Sequence, residues 1–98
     1  MRYREMTYGQ FRNELTERVE HYRNDRIVFG GGLPAPVVEG DTLLFGTPGN
    51  PGTPSFHIPT LHRHCMEFED MTYGELLRTL YMRAEEVWDG NGRLGWMP

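Results

Sequence analysis

Met6-Thr7-Tyr8-Gly9-Gln10 returns, 65 positions later, as Met71-Thr72-Tyr73-Gly74-Glu75. Each copy reads as the start of a helix. Thr7 and Thr72 are N-cap residues, and Gln10 and Glu75 three positions on complete two capping boxes. Met6 and Met71 precede the caps and are placed to staple onto Phe11 and Leu76. The glycines do not fit this economy. Gly9 and Gly74 fall in the first turn, where glycine costs about 1 kcal/mol relative to alanine. Two such glycines point to something approaching the backbone closely, either a packed element or a ligand.

Working outward from the first copy, Phe11, Leu15, Val19 and Tyr22 recur at helical spacing and predict a helix over about 8–23 with a narrow apolar stripe. Glu14 and Arg18 form an i,i+4 pair in the favourable order. From the second copy, Leu76, Leu77, Leu80, Tyr81, Ala84, Val87 and Trp88 predict a helix over about 73–88. Its apolar arc is wider, so it should be the more buried helix, with Gly90 closing it. The matches extend to Leu15/Leu80, Arg18/Arg83 and Glu20/Glu85. Duplication of a helix–strand unit and convergence on a good helix start both account for them.

Between the helices the sequence reads as short strands and loops. Arg26-Ile27-Val28-Phe29 is the first strand candidate, ended by Gly30-Gly31-Gly32. Val37-Val38-Glu39 and Thr42-Leu43-Leu44-Phe45 flank a tight Gly40-Asp41 turn. Residues 46–54, with three prolines and three glycines, are a loop and a candidate contact surface. Ser55-Phe56-His57-Ile58 is a strand stopped at Pro59. Residues 60–68 read two ways. As a strand, the preferred reading, His62, His64, Met66 and Phe68 share a face. As a short helix, Leu61, Cys65 and Phe68 do. The expected fold is therefore α+β: a small, mainly antiparallel sheet of three to five short strands carrying the two capped helices on one face.

Composition bounds the function. Ninety-eight residues predict a single domain, 1–98, with an aromatic tail at 91–98. Net charge is −4 and all ten cations are arginine; residues 61–98 hold four arginines against seven acids. No face of such a chain is strongly basic, which argues against duplex nucleic acid as partner. One cysteine, Cys65, excludes an intrachain disulfide and suits a reducing, cytoplasmic setting. The first residues lack the apolar core of a signal peptide, and no apolar run reaches bilayer length.

Three groups of residues can carry a function. His57, His62, His64 and Cys65 lie within nine positions and are zinc-ligand types. The bland alternative is edge histidines beside a small buried cysteine. Tyr8-Gly9 and Tyr73-Gly74 sit at helix N-termini, where free N–H groups attract anions; Arg2, Arg4 or Arg93 can complete a phosphate site. The alternative there is close packing against the glycines. Trp96 in the tail, with Asn50 in the long loop, is placed to anchor a protein partner or a homodimer. No catalytic set, phosphate loop or nucleophile elbow is present. The leading expectation is a small non-enzymatic binding protein, of bacterial or phage accessory type, that docks on a larger protein and modulates or inhibits it. The second is a receptor or sponge for a phosphorylated small molecule or nucleotide. The third is a small metal-dependent enzyme.

Overall fold

The computed structural model describes residues 2–46 and 53–88, the last by its backbone alone. Most of the 46–54 loop with Asn50, Gly90 and the 91–98 tail with Trp96 lie outside the described residues. The fold is α+β, as the sequence predicts. Among the described residues, four helices, α1 (Tyr8–His21), α2 (Arg26–Phe29), α3 (Ile58–Arg63) and α4 (Tyr73–Trp88), accompany a three-stranded antiparallel sheet. Its strands β1 (Val37–Glu39), β2 (Thr42–Leu44) and β3 (Ser55–His57) run in the order β1-β2-β3.

Both capping boxes form. The Gln10 N–H donates to Thr7 Oγ1 at 3.2 Å, and the Thr7 N–H donates back to Gln10 Oε1 at 2.9 Å. The Glu75 N–H donates to Thr72 Oγ1 at 3.1 Å, and the Thr72 N–H donates to Glu75 Oε1 at 3.0 Å. Helix α1 buries the stripe Phe11, Leu15 and Val19, and Glu14 pairs with Arg18 at 3.6 Å. Helix α4 buries Leu76, Leu77, Leu80, Tyr81 and Ala84, all at 0 % exposure, which makes it the centre of the core.

Two assignments change. Residues 26–29 are a helical turn, not a strand. The Asp25 carboxylate accepts from the Ile27 and Val28 N–H groups at 2.8 and 3.4 Å, and Phe29 N–H closes the turn onto Asp25 O at 2.9 Å. An N-cap of this strength overrides the β preference of Ile-Val. Gly30 then ends the turn; a Cβ on it would lie 2.0 Å from the Arg26 carbonyl oxygen.

Residues 60–68 are likewise not a strand. Chain direction changes at Pro59, which occupies the first turn of α3, where its missing N–H costs nothing. A 3-10 turn over Cys65–Phe68 follows. Leu61, Cys65 and Phe68 face the core as in the helical reading, while Met66 is 64 % exposed.

The hairpin is as expected. Gly40 takes φ 60° and Asp41 stays at negative φ, the arrangement of a two-residue turn with glycine first. Val38 pairs with Leu43, and Leu43 with Phe56. Both helix α1 and helix α3 grip this turn. Arg12 Nε donates to Gly40 O at 2.8 Å, the Tyr8 hydroxyl donates to Asp41 Oδ1, and Ile58 N–H donates to Asp41 O at 2.8 Å.

Before α1, a 3-10 turn over Tyr3–Glu5 inserts Tyr3 between the two helix starts. The Tyr3 ring stands edge-on to Phe11, Phe68 and Tyr73 with centroids 5.9, 5.3 and 5.1 Å away. Its hydroxyl donates to Met71 O at 2.7 Å. Among the described residues, no helix is long and apolar enough to cross a membrane.

Candidate functional site

The two Tyr-Gly starts, equivalent in sequence, have different surroundings. At Gly74, an added Cβ would lie 3.2 Å from both Cζ and the hydroxyl oxygen of Tyr22, the residue that ends α1. At Gly9 the nearest atom would be Thr7 Oγ1 at 4.0 Å, so the position opens to solvent. Gly74 therefore admits the end of α1, the packing alternative, whereas no described element packs onto Gly9.

Acidic side chains contact both starts, which disfavours an anion there. The Glu75 carboxylate sits on the first turn of α4, where an anion would be repelled; its own protonation is shifted down by the Thr72 hydrogen bonds. At α1 the Tyr8 hydroxyl is spent on Asp41, an acid. Burial, with the Asp41 hydrogen bond adding to it, pushes Tyr8 up to about 12.

The histidines and Cys65 are drawn into separate tasks. His57 Nδ1 hydrogen-bonds with Thr60 Oγ1 at 2.9 Å. His62 Nε2 lies 2.9 Å from Met6 O; a carbonyl only accepts, so this nitrogen is the donor. His62 thus holds Met6 just before the first capping box, as Tyr3 holds Met71 just before the second. His64 is exposed at the end of α3, and Cys65 is buried. No group of three or more His, Cys, Asp or Glu able to hold a metal occurs among the described residues. The strand face that was to gather His62 and His64 is replaced by a helix. Burial, the largest cause, pushes the Cys65 thiol up, away from the thiolate that a nucleophile or metal ligand needs.

Two features escaped the sequence reading. The first is the Gly30-Gly31-Gly32 segment, which closes onto α4. Gly32 N–H donates to Glu85 Oε2 at 2.9 Å, and a Cβ on Gly31 would fall 2.3 Å from that oxygen. The Tyr81 hydroxyl donates to Leu33 O from the same helix. The second is an open cleft between α1 and the start of α4, about 490 Å³ in volume, lined by Arg2, Tyr3, Arg18, Tyr22, Glu69 and Tyr73 among others. The Arg18 guanidinium lies 5.6 Å from the Tyr73 ring centroid. Tyr73 is one of the residues the sequence marks at a helix start; nothing in the spacing marks Glu69 or Tyr22 as lining the same cleft.

Set against family models, curated proteins and solved structures, the chain finds no match.

Proposed function

We propose that this is a small non-enzymatic binding protein of the cytoplasm that docks on a larger protein and modulates it. One observation carries the reading: Ile27 is 83 % exposed on a turn that cannot tuck it away. Asp25 fixes the turn from one side, Val28 and Phe29 are buried beside it, and Arg78 Nη1 reaches Val28 O at 3.4 Å. Covering a branched aliphatic side chain of this kind is worth about 1.5–3 kcal/mol. A partner that buries Ile27 gains this without distorting α2. An open cleft lined by Arg23, Arg26, Phe29 and Pro34 borders the same turn and offers polar contacts around that apolar centre.

Native mass spectrometry of protein purified from cells, before and after denaturation, tests the reading. A heteromeric assembly in the wild type that is lost in Ile27→Asp, with an unchanged melting temperature, supports it. A lone chain carrying a retained metal or nucleotide would replace it with one of the other two readings.

A further inference from the structure

Among the described residues, one charge in the cleft between α1 and the start of α4 is unmatched. Both carboxylate oxygens of Glu69 are buried, and neither has a hydrogen-bond partner among the described residues. A buried carboxylate in this condition is costly, and proteins ordinarily pair such groups. The arginines lining the same cleft do not pair with it. Arg18 is committed to Glu14 at 3.6 Å and to the Tyr73 ring. Arg2 is exposed and makes no side-chain hydrogen bond to it. Three aromatic side chains, Tyr3, Tyr22 and Tyr73, line the same cleft. Ring faces carry negative charge density and attract cations, most strongly where water is excluded.

We propose that this cleft binds an organic cation, a guanidinium or primary alkylammonium group, with Glu69 as counter-ion and Tyr22 and Tyr73 as walls. Two acceptor oxygens without donors select a cation that brings N–H groups, so a quaternary ammonium is excluded. A metal ion is disfavoured, since a single carboxylate does not make a coordination sphere. On this proposal the buried oxygens are reached by displacing side chains of the cleft, of which the exposed Arg2 is one. The proposal stands apart from the Ile27 face and does not depend on it.

Amide chemical-shift titrations at constant ionic strength, with methylguanidinium, n-butylammonium and tetramethylammonium chlorides, test it. The first two should perturb residues 69–74 saturably, and tetramethylammonium should not. Glu69→Gln should weaken binding by about tenfold to a hundredfold, the range of a charge-assisted hydrogen bond. Tyr22→Leu, which leaves Glu69 in place, should also weaken it. A capped Gly-Arg-Gly peptide separates sources: tighter binding than methylguanidinium indicates a side chain on a protein, weaker binding a free small cation. The proposal is overturned if neither N–H-bearing probe perturbs these residues, if tetramethylammonium matches them, or if both variants bind as the wild type does. It is also overturned if binding appears only in Arg2→Ala with a lowered melting temperature, because Arg2 would then be the natural partner of Glu69.

Discussion

The hydroxyl end of Tyr22 stands 3.2 Å from the point where Gly74 would carry a Cβ, so the residue that caps the end of α1 fits into a gap left by a missing side chain in α4. Gly9, its sequence equivalent, faces no such neighbour. The pair is an internal control. Gly9→Ala should stabilise by up to about 1 kcal/mol through helix propensity alone. Gly74→Ala should lower stability by about 1 kcal/mol, because overpacking outweighs the same gain. Thermal denaturation of the two variants decides; equal shifts would remove Tyr22 from the account.

Leu80 and Leu15 are both fully buried, at 0 % exposure. Each truncation to alanine should cost about 2–5 kcal/mol in urea denaturation. The narrower stripe of α1 does not make Leu15 the cheaper loss: it limits how many residues are buried, not how deeply. A loss below about 1 kcal/mol at Leu15 would show that the α1 site collapses around the truncation.

Glu85 and the Gly31-Gly32 backbone should behave as one unit. Glu85→Ala removes the acceptor of the Gly32 N–H, and Gly31→Ala drives the carboxylate off it. Each should cost about 1.5–3 kcal/mol, the range for a hydrogen bond to a charged group. The double variant should cost little more than either single one. Additive losses would show that the two act separately.

The two capping boxes differ in one atom pair, an amide at Gln10 and a carboxylate at Glu75, and so differ in acid. Folding lowers the Glu75 pKa below its ordinary 4.5, chiefly through the Thr72 N–H. Stability from this box is therefore present above pH 4.5 and lost as pH falls through the folded value. Hydrogen exchange at the Thr72 amide should speed up in acid relative to Thr7, and Glu75→Gln should abolish the difference. Parallel acid behaviour at both amides would show that the carboxylate is not the second box's acceptor.

What was legible in the sequence is what the chain decides locally. Thr7, Gln10, Thr72 and Glu75 satisfy neighbours three residues away, so both boxes could be read directly. The apolar stripes of α1 and α4 follow from periodicity alone, and Gly40 marks its own turn. The misreadings arose where one residue outweighed a window. Asp25 caps a run that Ile27 and Val28 colour as strand, and Pro59 opens a helix although it reads as the end of a strand. The cleft could not be read at all. Tyr22 meets Gly74, and Glu85 meets Gly31, across more than fifty positions, and only the packing of α1, α2 and α4 brings them together.

The seating of Tyr3 also has a consequence in time. Its hydroxyl partner, Met71 O, and two of its ring partners, Phe68 and Tyr73, belong to the last third of the chain. At roughly 5–20 residues per second of translation, the nascent tyrosine waits several seconds before these residues leave the ribosome. The amino-terminal turn and the start of α1 therefore lack this cover until residues 68–73 have emerged.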